Sequence, residues 1–264
     1  MIRITFILLA TWMFVNATAD AETVFITGSN RGIGLEFARQ YAEKNWNVIA
    51  TCRRPEEAKD LRALADLHPN ISIDKLDVND HAAIDALAKK YKSTSIDVLL
   101  NNAGILGDRE SQNKFGELSY ENMERVYRTN TLGPLKVSEA FIDHVAASDQ
   151  KKIAVIASGT ASLTNVRYRE GMGRYYSSLY AYRMSKVAVN MAMRVLAVDM
   201  REKGITVGIM APGIVETRLL QQAGFGGRGI DPVVSVTGVI KNIENMSLET
   251  SGQYIIYTGD TVPW

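Results

Sequence analysis

The stretch that decides the fold reads Thr27-Gly28-Ser29-Asn30-Arg31-Gly32-Ile33-Gly34. The apolar run before it, residues 23–27, predicts a buried strand, and residues 33–44 after it carry apolar side chains at helical spacing. Glycines let a backbone approach a pyrophosphate closely, and a helix N-terminus offers free N–H groups to phosphate. An ordinary tight turn is the other interpretation, but the strand–turn–helix context favours a dinucleotide site.

Apolar runs and amphipathic stretches alternate from Glu22 onward. Further strands are predicted at residues 47–52, 71–78, 97–101, 152–158, 205–210 and 253–257. Further helices are predicted at 56–67, 81–91, 119–147 with a bend near 133–134, 180–202 and 232–246. This alternation implies right-handed βαβ units and a parallel sheet covered on both faces. We therefore predict one α/β domain over residues 22–264, a Rossmann-type doubly wound sheet of about seven strands.

The first 21 residues differ from the rest of the chain. Arg3 is the only charge before Asp20, residues 4–15 are uncharged and mostly apolar, and residues 16–21 include small side chains at signal-peptidase spacing. This order is typical of a secretory signal, and the apolar run is too short to span a bilayer comfortably. We expect export to the periplasm or secretory route; if the segment is not functional, the protein is cytoplasmic.

The composition excludes several kinds of partner. The net charge of the 264 residues is +1, so nothing favours nucleic acid. The one cysteine, Cys52, excludes an intrachain disulfide and a cysteine-based metal site. The three histidines are scattered and have no partner cluster in the sequence. We expect no metal site.

The end of the second predicted strand bears on cofactor choice. An NAD site usually has an acid there, which accepts hydrogen bonds from the ribose 2′-hydroxyl. Here the strand is followed by Arg53 and Arg54, with no acid before Glu56. Arginine binds a 2′-phosphate with two parallel hydrogen bonds, and Arg31 offers a second cation. The sequence favours NADP(H) over NAD(H), with Arg53 as the ligand; a solvated arginine pair is the alternative.

A Tyr-x-x-x-Lys motif, Tyr182 and Lys186, opens the helix predicted at 180–202, and Ser158 ends the strand before it. Side chains four residues apart share a helix face. A free tyrosine has a pKa of about 10, and a cation about 4 Å away is worth roughly 4 kcal/mol at an effective dielectric constant near 20, or about three pKa units. The positive charge of an oxidised nicotinamide would lower this pKa further, so we expect Tyr182 to exchange a proton with an alcohol or carbonyl oxygen near pH 7.

These motifs resemble the short-chain dehydrogenase/reductase family, whose signature is T-G-x-x-x-G-[IL]-G. The resemblance covers nearly everything after Glu22: residues 101–104 match its N-N-A-G, residues 76–78 its adenine-contact segment, and residues 212–217 its P-G-x-x-x-T. With Arg53 added, the implied cofactor contacts are Gly28, Asn30, Arg31, Gly32, Ile33, Gly34, Arg53, Asp77, Val78, Asn102, Ala103, Gly104, Tyr182, Lys186, Pro212, Gly213, Val215 and Thr217.

The resemblance also implies catalytic roles. Ser158 would hydrogen-bond the substrate oxygen, Lys186 would also hold the nicotinamide ribose, and Asn130 would position a water in a proton relay. Within the family, the long stretch 159–181 and the ending 251–264 resemble the C-factor or sniffer-type carbonyl reductases.

The sequence thus predicts an NADP(H)-dependent oxidoreductase that interconverts a carbonyl and an alcohol on a small-molecule substrate. The alternatives are a nucleotide-binding signalling or interaction protein with little turnover, and an NAD-dependent alcohol oxidiser. Residues 159–181 and 216–231 would form the substrate pocket, whose tyrosines favour an aromatic or apolar guest. The helix at 180–202 is apolar on more than one side, which predicts a homodimer or homotetramer unless the chain's own loops cover it.

Overall fold

The computed structural model describes residues 21–166 and 178–264. Nearly all of the predicted signal segment, residues 1–20, lies outside the described residues. Residues 167–177, the central part of the predicted pocket segment 159–181, also lie outside the described residues.

The strands of the protein form one parallel sheet. They are β1 Thr23–Thr27, β2 Asn47–Cys52, β3 Ile71–Lys75, β4 Val98–Asn101, β5 Lys152–Ile156, β6 Thr206–Ala211 and β7 Tyr254–Ile256. The seven strands lie in the order β3-β2-β1-β4-β5-β6-β7, and every pair is parallel. Successive strands are added on one side of β1 up to β3 and on the other side from β4 onward, so the strand order reverses between β1 and β4. Open α/β sheets bind ligands at such a point, at the carboxyl ends of the strands. The predicted doubly wound fold is confirmed.

Helices cover both faces of this sheet. They are α1 Gly32–Glu43, α2 Lys59–Leu67, α3 His81–Lys90, α4 Tyr120–Tyr127, α5 Gly133–Ala140, α6 Ile142–Ala146, α7 Tyr180–Asp199, α8 Arg218–Gln222 and α9 Pro232–Glu244. On one face α5 and α7 bury Val137, Val189 and Met193 against the strands. On the other face α1 and α9 bury Phe37 and Ile240. The strands are buried from both sides and contribute only their carboxyl ends to a surface site.

The helix predicted at 119–147 is divided. A π-helical turn, Arg128–Leu132, separates α4 from α5, and α6 begins after Phe141. Pro134 has no N–H to continue a regular helix, so the bend predicted near it falls one turn earlier. Such π-turns are frequent at functional sites. This one carries Asn130.

Three other predicted boundaries differ from the structure by three residues, whereas the remaining ends, such as that of β5 at Ile156 and not residue 158, differ by two or fewer. The third strand ends at Lys75, before residues 76–78. The helix predicted from residue 56 begins at Lys59, after a short 3-10 turn at Pro55–Glu57. The helix predicted to residue 202 ends at Asp199, because the chain turns there toward Gly204, whose φ is +71°.

Candidate active site

The turn after β1 requires its glycines. Gly28 has a φ of +72°, and a Cβ on it would lie 2.9 Å from the Cα of Ala103. A Cβ on Gly34 would lie 2.2 Å from the carbonyl oxygen of Gly28. Any side chain at either position would therefore force the turn open. The turn leaves main-chain atoms accessible at the N-terminus of α1.

Asn102 fixes this turn to the loop that follows β4. Its amide nitrogen donates to the carbonyl oxygens of Thr27 and Gly28 at 2.9 and 3.0 Å. In return, the hydroxyl of Thr27 accepts from the backbone N–H groups of Asn102 and Ala103, both at 3.0 Å. The asparagine side chain is thus used to join two loops. A ligand at this point would meet the backbone of the 102–104 segment.

A cavity of about 890 Å³ runs along the carboxyl edge of the sheet. All of the predicted cofactor contacts named above line it, and so does Ser158. Asn130 does not line it. The sequence motifs, which are spread over almost 200 residues of chain, therefore face one space, except for Asn130.

Three arginines line one end of this cavity: Arg31, Arg53 and Arg218. Burial lowers the pKa of Arg31, and repulsion from Arg218 and Arg53 lowers it further. Among the residues that the structure describes, none of the three is ion-paired with a carboxylate. Arg54 instead pairs with Glu57 at 3.1 Å. The uncompensated positive charge suits a phosphate group.

Tyr182 lies in the first turn of α7 and is 9% exposed. Its backbone N–H donates to Oε1 of Gln112 at 3.1 Å, and the amide nitrogen of Gln112 donates to the carbonyl oxygen of Leu106 at 2.8 Å. The residue before the helix, Leu179, has a φ of +64° and donates to Oδ1 of Asn113. Two loop side chains thus satisfy the helix N-terminus in place of a capping residue.

Lys186 lies one turn after Tyr182. Its Nζ is 5.8 Å from the centroid of the Tyr182 ring and donates to the carbonyl oxygen of Ile156 at 2.7 Å. The lysine is 4% exposed, and burial lowers its pKa to about 8. The ammonium group thus sits between the end of β5 and the phenol.

The pKa of Tyr182 lies above the ordinary value of a tyrosine in this structure. Burial raises this pKa, and a hydrogen bond with the side chain of Ser158 offsets only part of the rise. Burial disfavours the charged phenolate because it removes that form from water. The further lowering of this pKa that we expect from the positive charge of an oxidised nicotinamide stays a prediction. Tyr182 is therefore protonated at neutral pH.

Asn130 is 1% exposed and lies behind the cavity wall. Its amide nitrogen donates to the carbonyl oxygen of Ile105 and to Oγ of Ser185, at 2.9 and 3.0 Å, and its Oδ1 accepts from the N–H of Ile105 at 2.8 Å. A Cβ on Gly104 would lie 3.4 Å from Oδ1 of Asn130 and 3.6 Å from Nζ of Lys186. The amide nitrogen has no hydrogen left for a water, so its visible role is to join the β4 loop to α7.

The family profile of the short chain dehydrogenases matches residues 22–224. The chain belongs to this family. The C-signal protein of Myxococcus xanthus is 32% identical over 68% of this chain and 99% of its own length. The 1-hydroxy-2-glutathionyl-2-methyl-3-butene dehydrogenase of a Rhodococcus species is 29% identical over 92% of this chain and 100% of its own.

Solved structures of two carbonyl reductases superpose over most of the chain. The NADPH-bound carbonyl reductase from chicken fatty liver has a TM-score of 0.81 and 32% identity, covering 92% of this chain and 99% of its own. The carbonyl reductase Sniffer of D. melanogaster has a TM-score of 0.78 and 26% identity, covering 92% and 100%. The resemblance to C-factor and sniffer-type proteins is confirmed.

The cavity of this short chain dehydrogenase is apolar beside Tyr182. Leu106, Leu179 and Ala223 form a buried cluster with Tyr182, and Leu219 packs against it. All five residues line the cavity. The two predicted pocket segments both contribute, although residues 167–177 lie outside the described part of the chain. The apolar wall suits a hydrocarbon or aromatic group beside the reacting oxygen.

Sequence reasoning missed Arg218 and Gln112. Arg218 begins α8, a helix of five residues within the predicted pocket segment 216–231. Gln112 lies in a 3-10 turn that carries no family motif. No sequence signal predicted that its side chain would accept a hydrogen bond from the first turn of α7. Among the described residues no group of three or more metal-binding side chains occurs. The same residues contain no helix of the length and apolar character needed to cross a membrane.

Proposed function

We propose that the chain is an NADP(H)-dependent oxidoreductase that interconverts a carbonyl and an alcohol. The observation that carries this proposal is one cavity with two chemically different ends. Arg31, Arg53 and Arg218 line one end, and Ser158 and Tyr182 meet at the other. The NADPH-bound carbonyl reductase from chicken fatty liver, similar in sequence and fold, supports it.

The residues present fit a dinucleotide that carries a 2′-phosphate. Gly28 and Gly34 leave the backbone open for a pyrophosphate, and the arginines supply charge for a further phosphate. When bound, NADP(H) supplies hydride to the substrate carbon or accepts it from there. The prediction of NADP(H) rather than NAD(H), made from the sequence, agrees with this fit.

The side chains of this protein handle the substrate oxygen. Ser158 and Tyr182 both line the cavity, and the Ser158 side chain lowers the pKa of Tyr182, so both hydroxyl groups can hold one carbonyl oxygen. Because its pKa is raised, Tyr182 carries its proton at neutral pH and can donate it to that oxygen as an acid. Below about pH 8 Lys186 is an ammonium ion and stabilises the phenolate that forms. This protonation state favours reduction of a carbonyl.

A signalling protein with little turnover is the second candidate, and similarity to C-signal favours it. A protein that only bound nucleotide would not need Ser158 and Tyr182 to interact beside the apolar wall of the cavity. A titratable group with a shifted pKa in a cleft, such as Tyr182, favours a chemical role. We therefore rank the enzyme first.

The test is a panel of aldehydes, ketones and quinones, each with NADPH or NADH, followed at the nicotinamide absorbance. Because the wall beside Tyr182 is apolar, we expect aromatic or aliphatic carbonyls to be reduced in preference to small polar ones. We expect kcat/KM to be at least about tenfold higher with NADPH, as one charge-assisted phosphate contact predicts. NADPH binding without oxidation by any carbonyl would contradict the proposal.

Two further proposals concern the state of the protein in the cell. Residues 1–21 act as a secretory signal, which N-terminal sequencing of the mature protein tests directly; an intact Met1 would favour the cytoplasm. Copies of the chain associate through the outward side of α7, where Met184, Met191, Val195 and Val198 are each half or more exposed. Contiguous exposed apolar side chains mark interaction surfaces.

A further inference from the structure

The end of the chain folds back on the edge of the sheet. The N–H of Val262 donates to the carbonyl oxygen of Tyr254 at 2.8 Å, and that of Ile256 to the carbonyl oxygen of Asp260 at 2.9 Å. These bonds make an antiparallel turn after β7. As a result the ring of Trp264 packs against the ring of Tyr254, with 5.4 Å between their centroids.

Trp264 is held from two other elements. The guanidinium group of Arg194, on α7, lies 5.9 Å from the Trp264 ring, and it also donates to the carbonyl oxygen of Gly252 at 2.8 Å. The main-chain oxygen of Trp264 accepts from the N–H and the hydroxyl of Thr164, at 2.7 and 2.5 Å. A weaker bond at 3.5 Å comes from the hydroxyl of Ser162. Trp264 thus joins α7 to the loop that follows β5.

Tyr254 reaches the same loop at its start. Its hydroxyl donates to the main-chain oxygen of Ser158, and the residue is 1% exposed. Burial raises the pKa of Tyr254, so the hydroxyl keeps the proton it donates. The hydroxyl of Ser158 is meanwhile hydrogen-bonded to that of Thr160 at 2.9 Å, and its side chain faces the cavity that Tyr182 also lines. Ser158 is therefore fixed by its main chain from β7 and by its side chain from Thr160.

We propose that Tyr254, Trp264 and Arg194 form a clamp that positions Ser158 and residues 159–166 for the reaction. The clamp touches neither substrate nor cofactor and acts through Ser158, so its members are positioning residues. The inference rests on the proposed function. Displacing a substrate-holding hydroxyl by about 1 Å can lower a rate about 100-fold, so a remote hydrogen bond can matter to turnover.

The test combines hydrogen exchange with kinetics in the full chain. Tyr254→Phe removes one hydroxyl and keeps the ring stack, and Trp264→Ala removes the stack and keeps the hydroxyl. We expect both variants to exchange the amides of residues 157–166 faster and to lose about tenfold or more in kcat. Their Kd for NADPH should stay within about twofold, because neither residue lines the cavity.

Tyr91→Phe is the matched control, since the Tyr91 hydroxyl also makes one hydrogen bond, to Asp74 at 2.6 Å, far from this loop. It should leave kcat and the exchange of residues 157–166 unchanged. Wild-type exchange in that segment for both clamp variants would overturn the inference. So would a lowered Tm with unchanged kcat, which a purely structural role predicts. Absence of turnover in the wild type contradicts the proposed function instead, and exchange alone then decides the clamp.

Discussion

Arg53 and Arg54 are neighbours in sequence but lie in different surroundings. Arg53 lines the cavity, whereas Arg54 lies outside it and pairs with Glu57. We predict that Arg53→Ala weakens NADPH binding by about 10- to 100-fold, the worth of one charge-assisted hydrogen bond to phosphate, and changes NADH binding little. Arg54→Ala is the control and should leave both unchanged. Titration by nicotinamide fluorescence measures this; a larger NADPH loss in Arg54→Ala would refute the assignment.

Lys186 links function to stability. Its pKa is about 8 in the folded protein and 10.5 as the ordinary value, so between these values the unfolded chain binds more protons. Burying the charged form therefore destabilises the fold below about pH 8, by about 3 kcal/mol, and the cost disappears as the pH rises toward 10.5. We predict that the free energy of urea unfolding of the wild type rises relative to that of Lys186→Met across this pH window.

The dependence of the unfolding free energy on pH, and not its absolute value, is the test. The methionine also leaves the Ile156 carbonyl without its hydrogen-bond donor, which shifts the free energy of the variant by a constant at every pH. The stability of wild type relative to Lys186→Met should rise with pH from about 8 upward. Parallel pH profiles would show that Lys186 titrates normally in the fold.

At the level of elements, the β1–α1 junction depends on close backbone packing. A Cβ on Gly34 would overlap the Gly28 carbonyl at 2.2 Å, whereas one on Gly159 would meet nothing within 4 Å. We predict that Gly34→Ala abolishes NADPH binding measured by calorimetry, since the turn must open to admit the methyl group. Gly159→Ala should bind NADPH like the wild type. Equal affinities for both variants would contradict the placement of the dinucleotide on this turn.

Elements with a clear period could be predicted from the sequence, and those set by tertiary contacts could not. β2 matches its predicted residues, because a short continuous apolar run indicates a buried strand. α1 lies within one residue of its prediction at each end, because apolar side chains at helical spacing indicate a helix with one buried face. The five residues of α8 are too few to show a period. The π-turn at Arg128–Leu132 depends on bonds from Asn130 to a distant loop, which no local pattern encodes.

At the scale of the whole molecule, the site combines ends of β1, β4 and β5 with the start of α7. The motifs predicted which residues would face one cavity, since parallel strands present their carboxyl ends at one edge. They did not predict the raised pKa of Tyr182, because burial by Leu106, Leu179 and Ala223 is a property of the assembled fold. Asn130 does not line the cavity, and the water-positioning role expected for it stays a prediction.

The outward side of α7 predicts self-association. We expect the wild type to run as a dimer or tetramer in light scattering, and a Met191→Glu, Val198→Glu double variant to run as a monomer, because two charges on each copy oppose contact. Leu67→Glu, at a position 77% exposed on α2, is the control and should not change the mass. A monomeric wild type would mean that this side stays in solvent.

In the proposed reaction, the fold brings a protonated phenol from α7 to the end of β5, where it serves as the acid of a reductase. The decisive experiment measures kcat with NADPH and the best carbonyl of the panel, together with the Kd for NADPH, in wild type and Tyr182→Phe. We predict that kcat falls by about 100- to 10,000-fold while the Kd changes by no more than about twofold. Turnover within a few-fold of the wild type would contradict it.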